Sequence, residues 1–383
     1  MNDLNSLALY VHWPWCLSKC PYCDFNSRAN APDQQDQDDY RTAILSELGH
    51  FASQTKGRKL SSIFFGGGTP SLIDPATIAA IIDDAERLWG FQSNCEITLE
   101  ANPTSVETGK FRDFQRAGVN RVSVGIQALN NTALQALGRE HSALEAQHAL
   151  DIASAVFDRF TFDIIYARPG QGLGEWHDEL DQVLQMVDGH VSLYQLTVEP
   201  GTDYFRNGVS ETDADLGADF YELTQNIMDE AGMPAYEVSN HAKPGQESRH
   251  NLGYWLGCDY LGIGPGAHAR LTHGHTTTAS HQIADPKRWL DKVTQQGHGT
   301  AKSRILSRNE RQEELVLAGL RLTQGIDCAN FKRRTGHDLS AIINTNAVEM
   351  LQSEGLVFFD QQRLAVTASG RLVLSAILEK LLA

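Results

Sequence analysis

Three cysteines stand within eight residues near the start of the chain: Cys16, Cys20 and Cys23, spaced C-x3-C-x2-C in "CLSKCPYCDFNS". Thiolates at this spacing can converge on one metal centre. Zinc is one candidate, but a closed structural zinc site takes four protein ligands, usually as two separated pairs. An iron–sulfur cube normally takes four thiolates, so three leave one iron without a protein ligand, an open coordination position with chemical use. Where a fourth thiol could stand, the chain has Phe25. Cys95 and Cys328 read as small buried side chains. Cys258 lies in a Gly/His-rich stretch and is not assigned.

Further polar residues interrupt apolar runs. "FFGGGTPS" ends an apolar run in glycines but lacks the Lys-Ser/Thr of a P-loop and the spacing of a dinucleotide fingerprint. Its Gly67, Gly68 and Thr69 allow close backbone approach to a ligand, or form a tight turn and nothing more. Glu100 in "TLEANP", Gln127 in "SVGIQALN" and Asp163 in "FTFDIIYARPG" sit in or beside apolar runs, with Arg139 in "LGREHS" nearby. A buried carboxylate needs a partner, and a satisfied structural hydrogen bond is the plain reading of any one of them. Their recurrence at successive strand ends favours a site.

The elements that must position these residues alternate. "LALYVH" reads as a strand, "YRTAILSELGHF" as a helix, and "SIFFGGG" as a buried strand entering a turn. Asp74 and Pro75 read as the N-cap and first residue of a helix over "PATIAAIIDDAERLW". Strands "CEITLEANP", "RVSVGIQ", "FTFDIIYARPG" and "VSLYQLTVEPGT" follow, separated by helical segments such as "VETGKFRDFQRAG". Six strand–helix units imply a parallel α/β sheet with right-handed crossovers, here a partial (β/α)6 TIM-like barrel, with chemistry at the C-terminal strand ends. Three regions are expected: the barrel over 1–240, a Gly/His-rich connecting segment over 241–299 whose first part, 241–271, reads as a functional loop, and a smaller, mainly helical, winged-helix-like domain over 300–383. A packing cap is at least as good a reading of that last domain as DNA binding.

Hydrophobic residues make up 41% of the 383, enough for a proper core. The formal charge of -16 speaks against a nucleic-acid partner. No apolar run is long enough for a transmembrane helix, and the N-terminus lacks a signal-peptide pattern, so the expected location is cytoplasmic. Thiols stay reduced there, which favours metal or redox chemistry over disulfides.

The cysteine motif after a first barrel strand, with Tyr22 just before the last cysteine, resembles the radical S-adenosylmethionine superfamily. Tyr10, Glu100, Gln127, Arg139 and Asp163 match positions of one branch, the oxygen-independent coproporphyrinogen III oxidase-like proteins. That resemblance runs from about Leu7 to Ala383. It implies that Cys16, Cys20 and Cys23 hold a [4Fe-4S] cluster. S-adenosylmethionine then chelates the fourth iron and contacts Tyr10, Tyr22, Gly67, Gly68, Thr69, Glu100, Gln127, Arg139 and Asp163. In that superfamily the reduced cluster cleaves the sulfonium to a 5′-deoxyadenosyl radical. Within the branch, the short N-terminus, Phe25 and "RHNLGYW" resemble the heme chaperones more than the oxidase, which carries a longer N-terminal arm and a further cysteine at the position of Phe25. This implies heme as a cofactor with His250 as its ligand, a heme-accepting partner protein and a homodimer; His241 and His268 are lesser candidates. Decarboxylation of coproporphyrinogen III is the first alternative, followed by a radical enzyme of other substrate and a zinc-stapled binding module.

Overall fold

A computed structural model describes residues 5–30, 32–274 and 276–383. Six parallel strands stand side by side in chain order: β1 (Ser6–Trp13), β2 (Lys59–Gly67), β3 (Phe91–Ala101), β4 (Arg121–Gln127), β5 (Arg159–Tyr166) and β6 (His190–Gln195). The crossovers carry α1 (Gln34–Ala52), α2 (Pro75–Trp89), α3 (Ala143–Val156) and α4 (Leu173–Met186). Asp74 caps α2 by accepting from the Ala76 N–H, and Pro75 opens it. The helical segment expected from Val106 onward breaks instead into two short helices, Ser105–Thr108 and Phe111–Arg116.

The strands are not apolar throughout. Leu9, Val11, Phe65, Leu99, Val122, Val124, Phe162 and Ile164 are fully buried in the main core, which takes in residues of the outer helices. Alternate residues point the other way, as the two-residue period of a strand requires. Tyr10, Ser62, Phe64, Glu96, Glu100, Arg121, Ser123, Thr161, Asp163, His190 and Ser192 therefore share the concave inner face. One face packs helices and the other surrounds a cavity, so periodicity placed the polar residues of the site.

The stretch 241–271, read as a loop, holds regular elements, as does the rest of the 241–299 segment. After α5 (Ala214–Glu230), β7 (Asn240–Ala242) pairs antiparallel with β6. The short α6 (Arg249–Trp255) follows. Next, β8 (Tyr260–Ile263) joins the far side of β1 in parallel. Strands β9 (His268–His273), β10 (Thr276–Gln282) and β11 (Thr300–Ile305) continue as an antiparallel meander, with α7 (Pro286–Gln296) between the last two. The eleven strands run β11-β10-β9-β8-β1-β2-β3-β4-β5-β6-β7, so the barrel stays open.

The C-terminal part has its own apolar core, including Val316, Phe331, Leu351, Leu364 and Leu381. It consists of α8 (Arg308–Gly319), α9 (Cys328–Thr335), α10 (Thr345–Ser353) and α11 (Leu374–Leu382) around a small sheet. That sheet is ordered β12 (Ile326–Asp327), β14 (Arg363–Val366), β13 (Val357–Phe359). It is docked on the barrel side through a bridge between Glu237 and Leu322 and a Thr323 N–H to Tyr236 carbonyl bond.

Candidate functional site

The cysteine loop leaves the C-terminal end of β1. Cys16, Cys20 and Cys23 line one cavity at the barrel mouth, together with Tyr22, Gly67, Gly68, Thr69, Glu100, Gln127, Arg139 and Asp163. All six cysteines are free thiols. Among the described residues no group of three or more His, Cys, Asp or Glu side chains is gathered tightly enough to hold a single metal ion. A cubane asks for something different, one thiolate on each of three separate corners. Withdrawal from water pushes the Cys16 and Cys23 thiols up. A bound metal reverses that preference by deprotonating its thiol ligands.

His12 and Asn26, which the sequence reading did not single out, join Arg139 in holding this loop in place. His12 Nε2 lies 2.9 Å from the Asn26 carbonyl oxygen, which can only accept. His12 is therefore protonated at Nε2, and Tyr10 donates its hydroxyl hydrogen to His12 Nδ1 at 3.1 Å. Asn26 in turn donates to the carbonyls of Pro265 and Ala284, both at 3.0 Å, tying the loop to the segments after β8 and β10. Arg139 donates to Cys20 Sγ at 3.3 Å, to Asn102 Oδ1 at 2.6 Å and to the Gly125 carbonyl at 2.7 Å. It joins the cluster loop to the ends of β3 and β4.

The glycine turn is fitted against the same loop. Gly67 has φ +118°, and a Cβ there would lie 2.6 Å from the His12 ring and 2.7 Å from the Trp13 carbonyl. The Gly67 N–H donates to Glu100 Oε2 at 3.1 Å, while those of Gly68 and Thr69 donate to the carbonyls of Trp13 and Trp15. These three amides are engaged within the protein, which leaves the carbonyl oxygens and the Thr69 hydroxyl as the groups of this turn able to meet a ligand. Gln127 takes φ 75°, a left-handed conformation uncommon outside glycine and concentrated at functional sites.

Glu100 and Asp163 face inward on β3 and β5. Loss of hydration raises Asp163 to about 6, against the opposing pull of Ser192, Arg121 and Arg139. Loss of hydration together with the Asp163 charge raises Glu100 to about 8. Asp163 thus ionises first, and its charge holds the proton on Glu100. Near neutral pH the pair carries about one negative charge, with a second available to a cationic ligand.

Glu100, Ser123 and Asp163 also line a second cavity of about 460 Å³ deeper in the barrel, within the usual range for small-molecule sites. Tyr10 lies here rather than at the mouth, against Phe64. Here too is His250, the second residue of α6. Its ring stacks on Phe64 with centroids 4.9 Å apart, and its Nδ1 lies 2.9 Å from Ser62 Oγ. Burial lowers its pKa to about 4, so the imidazole is neutral. Glu96 fixes the start of α6: it is 2% exposed, pairs with Arg159 at 2.7 Å and accepts the His250 N–H at 3.2 Å. Ser248 caps the helix. Of the other histidine candidates, His241 pairs with Gln225 of α5 and His268 stacks on His281. Neither is among the described residues lining the inner cavity.

A parallel barrel with a three-cysteine loop at its mouth defines the class. The model of the radical SAM superfamily matches residues 10–183, and that of the HemN C-terminal domain matches 306–373. Heme chaperone HemW of Escherichia coli is 35% identical, with 100% of each chain covered, and that of Haemophilus influenzae is 36% identical over 99% of this chain and 98% of its own. A bovine mitochondrial protein, radical S-adenosyl methionine domain-containing protein 1, is 39% identical over 98% of this chain and 87% of its own. The solved structure of coproporphyrinogen III oxidase (HemN) from Escherichia coli, a radical SAM enzyme, shares the fold with a TM-score of 0.82. It is 22% identical and covers 98% of this chain and 89% of its own. The chain belongs to the radical SAM superfamily, in its HemN-like branch and close to HemW. A radical SAM domain implies S-adenosylmethionine and a [4Fe-4S] cluster. The donor set at the mouth fits both, since three thiols and two carboxyl groups, of Glu100 and Asp163, line one cavity.

Proposed function

We propose that this chain is a heme chaperone that binds heme beside a [4Fe-4S] cluster and S-adenosylmethionine, and passes heme to an acceptor protein. The observation that carries the heme reading is His250, a neutral histidine opening onto a cavity of ligand size. In the tautomer that donates Nδ1–H to Ser62, the Nε2 lone pair is free for iron, and the Ser62 contact fixes the ring orientation. Tyr254 and Trp255 of the same helix supply flat apolar surface on the cavity wall. The relatives named heme chaperones support the same reading.

At the mouth, Cys16, Cys20 and Cys23 hold the cluster, and Glu100 and Asp163 balance the charge of S-adenosylmethionine. Together those groups supply an iron with an open position and a one-electron donor. Arg139, Asn26 and His12 keep the loop in register with the barrel. Heme titration followed at the Soret band tests the reading: wild type should bind and His250→Ala should bind more weakly. No Soret shift in wild type would refute it. Anaerobic incubation with reductant, S-adenosylmethionine and coproporphyrinogen III tests the decarboxylating alternative, which would release protoporphyrinogen at catalytic rates.

A further inference from the structure

Behind α6 lies another cavity, about 430 Å³, between the barrel and the C-terminal part. It has apolar walls from Leu315, Leu317, Leu374 and Leu378. Tyr254, Trp255 and Arg321 line both this cleft and the inner cavity, so they form the partition between them. The cleft's other cations share a single carboxylate, that of Glu314. Arg270 lies 2.8 Å from Glu314, and Arg311 contacts the same carboxylate and the Gly257 carbonyl. Arg321 Nη2 donates to Glu237 Oε2 at 3.4 Å, the long end of hydrogen-bond range. Glu237 already accepts from Asn240 Nδ2 at 2.6 Å and from the Ser239 N–H at 2.9 Å. The Arg321 Nε is buried without a partner, and the guanidinium lies 4.6 Å from the centroid of the Trp255 ring. Stacking leaves the donors of the planar fork not spent on Glu237 to meet a carboxylate edge-on.

We propose that Arg321 is a carboxylate-recognition residue for the ligand that His250 holds, reading a propionate of heme across the Tyr254–Trp255 partition. This rests on the heme reading above. The C-terminal part would then serve the ligand site directly, since the segment docked beside Glu237 delivers Arg321.

The test compares heme with heme dimethyl ester, which keeps the iron and the ring but lacks both acids. Titrations at the Soret band use wild type, Arg321→Gln and Arg321→Lys, each checked for folding by circular dichroism. A charge-assisted hydrogen bond to a carboxylate predicts that wild type binds the diacid at least about tenfold more tightly than the ester. Arg321→Gln should lose that preference, and Arg321→Lys should keep part of it. Equal wild-type affinity for the two ligands overturns the proposal. So does a preference that survives in Arg321→Gln. If wild type binds neither ligand, the heme reading itself fails and this proposal with it.

Discussion

The Glu100–Asp163 pair makes a quantitative prediction about S-adenosylmethionine. At pH 7 a carboxyl group of pKa about 8 is about nine-tenths protonated. A ligand carrying a sulfonium charge favours the carboxylate, so binding should expel the proton. Ionising Glu100 for the ligand costs about 1.4 kcal/mol at pH 7 and almost nothing at pH 9. Affinity should therefore rise roughly tenfold per pH unit between about 6.5 and 8 and then level off. Anaerobic calorimetry on cluster-loaded protein, in two buffers of different ionisation enthalpy, measures both the affinity and the proton count. At pH 7 wild type should release close to one proton more than Glu100→Gln. Glu100→Gln should bind more weakly and without this slope. A flat profile in wild type, or an unchanged slope in Glu100→Gln, would show that Glu100 does not meet the ligand charge. The sign reverses for the stability of the ligand-free protein. The raised pKa stabilises the fold below the unfolded-state value near 4.5, and that contribution fades as pH rises through about 8. Glu100→Gln should thus raise the melting temperature at pH 8.5 relative to wild type.

Other substitutions probe the parts that hold the site. Glu96→Gln leaves the buried Arg121 and the half-buried Arg159 without their carboxylate and loosens the start of α6, so it should cost about 3–5 kcal/mol in denaturant unfolding and weaken heme binding. Arg139→Ala strips partners from Asn102 and the Gly125 carbonyl; a loss of about 2–4 kcal/mol and faster iron release to a chelator are expected, and unchanged release would deny its link to the cluster loop. Gly67→Ala forces a Cβ into His12 and the Trp13 carbonyl at a backbone angle alanine rarely takes. It should cost about 1–3 kcal/mol and lower the iron content after reconstitution.

The six strand–helix units were legible because their signals are local: apolar runs, caps such as Asp74, and glycine stops. The cysteine triplet was legible because its ligand spacing lies within one loop. The sheet formed by 240–305 was not. β8 is four residues long, and its pairing with β1 bridges some 250 positions, which no local pattern records. β10 and β11, "TTTASHQ" and "TAKSRI", are polar strands in a meander and lack an apolar run. His12, Arg121 and Glu96 read as ordinary residues of apolar segments. Only the curvature of the sheet gives them a common interior. The sequence marked His250 as a family match, but that it looks into the barrel toward the two carboxyl groups depends on the long-range contacts of Glu96 and Ser62 with α6.

The most direct test of the central claim is the electron paramagnetic resonance spectrum of the ferric heme complex, compared between wild type and His250→Ala at equal heme loading. Ligation by His250 predicts an imidazole-type spectrum in wild type that is lost in the variant and returns when free imidazole is added. Identical spectra from the two proteins would place the iron on another residue and contradict the account.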